Sequence, residues 1–254
     1  MPMEKIIDRD TDGVLRLVAV HEMLLEQSFY PLLLSTALCF AFLATRGLYF
    51  GHLGYTFLVK NLFLAWLPYL MSLYVLWVGR TQPQRRFRLA SIWAAWLALL
   101  PNAPYIFTDL IHWRRRTEVS WWFDLGMVLM FALAGCFCGI ASLRIMHTIA
   151  RRAVGEVGGW LFVVTASVLT GFGIYLGRFE RWNSWWVLTK PRFVLSQLAH
   201  GLADPFSHSR TIGVTLMFGA MTLACYVMCI SMSRGTTPGC DTSTRGPFDP
   251  TSRC

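Results

Sequence analysis

Two short polar runs interrupt a chain that is otherwise rich in apolar residues. The first consists of residues 102–105 and 108–112 and contains Asp109, and the second, residues 177–185, contains Arg178. Ionisable and amide side chains are costly at membrane depth, and where they occur they commonly mark function. Both runs fall at the same end of different predicted membrane spans, so we expect them to meet in one candidate site.

Asp109, His112 and Asp124 are the candidates for catalysis. Asp109 and His112 stand three residues apart, so a helix would carry both on one face. A carboxylate that orients an imidazole serves general-base chemistry, a proton relay or plain interfacial anchoring. Asp124 opens the fourth predicted span, either as a member of the same outer pocket or as a first-turn carboxylate favoured by the helix dipole.

Arg178 and Arg181 stand at i, i+3 where the fifth predicted span ends. Guanidinium forks suit phosphate or carboxylate groups, so these arginines predict an anion site. The alternative is an internal ion-pair network that joins them to Asp109 or Asp124 and holds helices together. The predicted ligand-binding residues are Asn102, Tyr105, Arg178, Arg181, Asn183 and Trp185.

Hydrophobic residues make up 55% of the 254 residues and charged residues 15%, a balance that is typical of a membrane protein. A bilayer core about 30 Å thick is crossed by about 20 mostly apolar helical residues. Six stretches approach that length and predict an all-α integral membrane bundle of about six transmembrane helices. They are residues 29–45, 61–79, 89–107, 121–143, 160–176 and 211–232.

Pro101 and Pro104 interrupt the third predicted span. A proline inside a helix removes a backbone hydrogen bond and clashes with the carbonyl four residues earlier. We therefore expect a break at membrane depth, where the amide of Asn102 either supports the freed carbonyls or takes part in the site. Two glycine pairs, at 135 and 139 and at 173 and 177, have the spacing that lets membrane helices approach closely.

Three regions are predicted: an amphipathic segment over residues 1–28, the membrane domain over 29–232 and a disordered polar tail over 233–254. The first 27 residues lack the uninterrupted apolar core of a cleavable signal peptide. A cytoplasmic N-terminus puts 13 of the 23 Lys and Arg residues on the cytoplasmic side, a small bias in its favour. Arg178 and Arg181 then fall on the outer side, where they are suited to attract an anion.

Other classes of function find less support in the sequence. The net charge of +9 does not indicate nucleic-acid binding, because the basic residues are spread over every loop. Five of the seven cysteines lie inside predicted spans, where we expect them to pack as small hydrophobes rather than to hold a metal. The predicted partners are membrane lipids, with an anionic amphiphile among them, and the sequence identifies no cofactor.

Several unusual motifs occur together in the membrane domain: residues 100–110 (LPNAPYIFTDL), residues 122–124 (WFD) and residues 173–185, which include GRF and RWNSW. In type and order they resemble a family of uncharacterised bacterial membrane proteins known as domain of unknown function 1361, over residues 29–232. The resemblance implies a polytopic protein of the bacterial inner membrane and implies no activity. The chain departs from the family pattern at Trp186, where an acidic residue is typical, and in its polar tail.

Three classes of function are compatible with these residues. The leading hypothesis is that the outer face binds an anionic lipid or lipid-linked envelope precursor through Arg178 and Arg181. An enzyme acting on such a substrate would use His112 as the base, Asp109 to orient it and Asn183 as a hydrogen-bond partner. The broken third span also suits a proton-coupled transporter, whereas a non-catalytic scaffold would use the polar cluster to lock helices together.

Overall fold

The computed structural model describes residues 17–50, 55–81, 86–112, 121–178 and 209–235. These segments are helical and contain no strand, so the predicted all-α fold is confirmed for the described part of the chain. The division into an amphipathic segment, a membrane domain and a tail stays a prediction. The helices are α1 (17–26), α2 (Phe29–Phe50), α3 (Thr56–Thr81), α4 (Arg86–Leu99), α5 (Asn102–Tyr105), a 3₁₀ helix (Ile106–His112), α6 (Trp121–Arg178) and α7 (Ser209–Gly235).

Helices α2, α3, α6 and α7 are long and apolar enough to cross a membrane. The longest of them, α6, is interrupted at Gly155, whose φ of 81° is open to glycine but strained for other residues. The rings of His147 and Trp160 on either side of this point are 5.0 Å apart, whereas 13 residues of straight helix would separate them by about 20 Å. The chain therefore turns back at Gly155, and α6 supplies two antiparallel arms, which correspond to the fourth and fifth predicted spans.

The third predicted span is broken as its prolines led us to expect. Helix α4 ends at Leu99, and after a turn through Pro101 the chain continues as the four-residue α5 and the 3₁₀ helix. The amide of Asn102 donates a 2.9 Å hydrogen bond to the carbonyl of Leu99. In a continuous helix that carbonyl would accept from the N–H of Ala103, which here bonds to the carbonyl of Leu100 instead. Asn102 thus supports the break, which was one of its two predicted roles.

Both predicted glycine pairs of α6 contact the broken segment. A Cβ atom on Gly135 would lie 2.8 Å from the backbone oxygen of Ala103, and one on Gly139 would lie 2.8 Å from the Cβ atom of Ala103. On the other arm, Gly173 lies directly against the ring of Pro101. The absence of side chains at these glycines lets α5 and the 3₁₀ helix pack between the two arms of α6.

Apolar clusters and one hydrogen-bonded chain hold the remaining helices. Trp96 of α4 donates a 2.7 Å hydrogen bond to the hydroxyl of Ser142 in α6, and Ser142 donates to the carbonyl of Pro68 in α3 at 2.8 Å. Trp96 and Ser142 are fully buried, so this chain satisfies polar groups that have no access to water. The cysteines of the described helices lie in or against the apolar clusters, as predicted: Cys39, Cys136, Cys138, Cys225 and Cys229.

The contact between α6 and the broken segment yields a test. Gly135→Ala is expected to lower the free energy of unfolding by about 1–3 kcal/mol, because the new methyl group overlaps the backbone of Ala103. Gly126→Ala is the matched control in the same helix, since a Cβ atom there would meet no neighbour within 4 Å. Thermal unfolding in detergent, followed by tryptophan fluorescence, measures both variants. Equal melting temperatures for the two would contradict the packing described above.

Candidate functional site

The described candidate residues lie at one end of the bundle, where α2 ends, α3 begins and α6 both begins and ends. We call this the charged end and define it by Arg46, Asp109, Asp124 and Arg178. Their two ion pairs border one apolar cluster, whose members include Leu43, Leu58, Leu62, Ile106 and Met127. The side chain of His112 and the residues Arg181, Asn183 and Trp185 lie outside the part of the chain that the structure describes, and their roles stay predictions.

Arg46 and Asp124 form a buried, two-pronged ion pair between α2 and the first arm of α6. The Nε atom of Arg46 lies 2.8 Å from Oδ1 of Asp124, and its Nη2 atom lies 3.3 Å from Oδ2. The two side chains are 1% and 3% exposed. Parallel hydrogen bonds of this kind are what a desolvated guanidinium and carboxylate need if their attraction is to offset the loss of water.

Tyr55 completes the surroundings of this pair. Its ring lies 4.8 Å from the Cζ atom of Arg46, close enough for a cation–π interaction. Asp124 is therefore more than a first-turn carboxylate at the start of α6, because it neutralises a cation that α2 brings into the bundle. Arg46 was not among the predicted site residues, and it lies one residue beyond the end of the first predicted span.

Asp109 joins three parts of the chain. The amide of Asn61 in α3 donates a 2.6 Å hydrogen bond to Oδ2 of Asp109, which the 3₁₀ helix carries. On the other side, Nη1 of Arg178 lies 3.7 Å from Oδ1 of Asp109, a contact between charges that is too long for a hydrogen bond. The pairing of Asp109 with Arg178 is one of those that the alternative ion-pair network allows, whereas Asn61 was not predicted.

Arg178 is held less tightly than Arg46. Its side chain is 15% exposed, compared with 3% for Asp109, so its guanidinium lies at the rim of the buried carboxylate. The ring of Tyr105 lies beside Gly177, the residue before Arg178, where an added Cβ atom would be 3.2 Å from the ring. A guanidinium at such a rim can form short hydrogen bonds with a second anion while it still faces the first.

The remaining polar groups of the segment support its backbone. Thr108 donates a 2.7 Å hydrogen bond to the carbonyl of Tyr105, and Asn102 is bonded to Leu99 as described above. In the described residues no three His, Cys, Asp or Glu side chains are grouped so that they could hold a metal ion. The charged groups of the described charged end are thus its two arginines and two aspartates.

A family model described as "Protein of unknown function (DUF1361)" matches residues 60–225. The matched interval contains Asn61, the 3₁₀ helix and both arms of α6, whereas Arg46 lies before it. No curated protein and no solved structure matches the chain. The geometry of the charged end is therefore the main guide to function.

The contribution of the Arg46–Asp124 pair to stability can be tested by removing one of its two charges. Arg46→Met is expected to lower the free energy of unfolding by about 3–5 kcal/mol, because it leaves the carboxylate of Asp124 buried and without its cation. The double variant Arg46→Met, Asp124→Leu should recover most of that loss, since it removes both charges. Denaturant unfolding in detergent measures the three proteins.

Arg151→Gln is the control for this experiment. It breaks the 2.9 Å pair of Arg151 with Glu156, whose side chains are 45% and 56% exposed, and exposed pairs contribute no more than about 1 kcal/mol. If Arg46→Met cost no more than this control, the buried pair would not be essential to the fold.

Proposed function

The chain belongs to the DUF1361 family of proteins of unknown function, and from this premise we propose that it is a lipid-binding protein of the bacterial inner membrane. In this proposal it crosses the membrane several times with its N-terminus in the cytoplasm. The charged end then faces outward and binds the headgroup of an anionic lipid or a lipid-linked envelope precursor. The cation that receives the headgroup is Arg178.

The looseness of the contact between Arg178 and Asp109 is the observation that carries this proposal. Arg178 lies 3.7 Å from the carboxylate and is partly exposed, whereas Asn61 binds the same carboxylate at 2.6 Å. A phosphate that approaches from the exposed side can form charge-assisted hydrogen bonds of about 2.7–2.9 Å with the guanidinium. Such bonds are shorter than the existing contact, so a ligand gains interactions that Asp109 does not provide.

The sequence beyond Arg178 supports the same site. Arg181, Asn183 and Trp185 follow within seven residues and offer a second guanidinium, an amide and an indole ring. Tryptophan and arginine are the residue types that membrane proteins use at the headgroup level. We include these three residues in the proposed ligand-binding set together with Tyr105 and Arg178. An enzyme acting on the same substrate would use His112 and Asp109 as its acid–base pair.

A helix-locking scaffold is the second candidate, and the Arg46–Asp124 pair favours it. This pair is short, at 2.8 Å, and almost fully buried, so its role is to join α2 to α6. If Arg178 and Asp109 did the same, the charged end would stabilise the bundle without binding a ligand.

Lipid retention by full-length protein separates the two candidates. Native mass spectrometry after reconstitution with phosphatidylglycerol counts the lipid molecules that remain bound. Arg178→Gln should lower the affinity for one bound lipid by about tenfold or more, because hydrogen bonds to charged groups contribute about 1.5–3 kcal/mol. Asp109→Asn should strengthen retention, because it removes the internal anion that competes for Arg178.

Arg210→Gln is the matched control, because Arg210 is an exposed arginine at the start of α7. Helix α7 runs antiparallel to the second arm of α6, with Gly171 packed against Thr215, so Arg210 lies at the charged end as well. Lipid counts that stay equal in all four proteins, with lower stability of the Asp109 and Arg178 variants, would refute the lipid site and support the scaffold.

A further inference from the structure

A groove opens at the end of the bundle opposite the charged end. It lies between the start of α2, the first arm of α6 and α7, and its volume is about 340 Å³. Small-molecule sites typically fall between about 300 and 1,000 Å³, so the groove is large enough to hold part of a ligand. The lipid proposal for Arg178 does not involve it.

The groove is polar at its outer mouth and apolar along its length. Helix α2 runs away from the mouth and the first arm of α6 runs toward it, so Ser28 lies near the level of Arg144, and Ser35 near the level of Phe137. About seven residues of helix separate the two levels, a distance of about 10 Å. The wall between them is formed mostly by apolar groups, among them Leu32 and Ile140. This distribution matches an amphiphile whose head lies at the mouth and whose tail lies along the groove.

The mouth is formed by a bend in the backbone that other contacts hold in place. Ser28, between α1 and α2, has a φ of 63°, which L residues other than glycine rarely adopt. The hydroxyl of Tyr69 donates a 2.9 Å hydrogen bond to the carbonyl of Gln27, and the backbone N–H of Ser28 bonds to the carbonyl of Leu25. The cost of this conformation is thus balanced by contacts from α3 and α1 that keep the mouth open.

Arg144 gives the mouth its charge. Its side chain is exposed, and no carboxylate of the described residues forms an ion pair with it. An arginine at a membrane surface is attracted to the phosphate of anionic lipids, which it can bind with two parallel hydrogen bonds. Since an apolar groove begins beside it, the ligand that satisfies both features carries a phosphate and an acyl chain.

We propose that this groove binds one anionic phospholipid of the leaflet at that end of the protein. The phosphate is bound by the guanidinium of Arg144, and one acyl chain lies along Phe137 and Ile140. This site is separate from the one proposed at Arg178, and it accepts a lipid from the opposite leaflet. Bound there, the lipid fills the space between α2 and α7 and links both to α6.

Phosphatidylglycerol retention by the full-length protein tests whether the guanidinium of Arg144 binds the lipid phosphate. Arg144→Gln is expected to lower the affinity for one phosphatidylglycerol by about tenfold or more. The control is Arg152→Gln, which changes an exposed arginine of the same arm outside the groove and should leave retention unchanged. The Arg144→Gln, Arg178→Gln double variant should lose two lipids. Equal retention in the Arg144 variant and the parent, or equal retention of zwitterionic phosphatidylethanolamine and phosphatidylglycerol, would overturn the proposal.

A photoactivatable phosphatidylglycerol with a diazirine midway along one acyl chain tests the position of the tail. Cross-links are expected at residues 137–141 and 31–35, and they should decline about tenfold in Arg144→Gln while the variant keeps its melting temperature. Lipid-facing residues of α3, such as Phe63 and Tyr74, are exposed and give the background level. Cross-links that are equally frequent on α3 and in the groove would overturn the assignment.

Discussion

An isolated charge inside an apolar bundle is too costly to keep, and the arrangement of the charged end follows from that constraint. Arg46 is carried on α2, where it is fully buried, and it requires a carboxylate from elsewhere. Asp124 supplies it from α6, across 78 residues of sequence. Once these two helices are joined at the charged end, Tyr55 can pack over the guanidinium and the apolar cluster around Leu43 can close.

The second carboxylate depends on the break in the third span. Pro101 and Pro104 each remove a backbone hydrogen bond, which disfavours a continuous helix, and the chain proceeds through α5 and the 3₁₀ helix. This segment needs room, which the glycines on the two arms of α6 provide. Asp109 thereby reaches the interior between α3 and the second arm, where Asn61 and Arg178 meet it. The same break that weakens the helix thus places a carboxylate beside a cation.

The sequence predicted the parts of this arrangement that depend on local chemistry. Hydropathy indicated the spans, the prolines indicated the break, and glycine spacing indicated the close contacts of α6. The partners of the charged residues were predicted less well, because a charged residue in an apolar span implies that a partner exists but does not identify it. Arg46 and Asn61 lie at the ends of predicted spans, where a polar residue is ordinary, and only tertiary packing shows that both point into the bundle. The fourth and fifth predicted spans implied a reversal between residues 143 and 160, but its position at Gly155 was not predicted, since helix continues on both sides of that single residue.

Three arginines of the described helices differ in how far their charge is compensated. Arg46 is closed into a short pair, Arg178 faces its carboxylate at a distance too long for a hydrogen bond, and Arg144 has no carboxylate partner among the described residues. A cation gains most from an added anion where its charge is least compensated. Arg46 therefore stabilises the fold, whereas Arg178 and Arg144 retain electrostatic attraction for anions. Because these two lie at opposite ends of the bundle, the two proposed sites would receive lipids from opposite leaflets of one membrane.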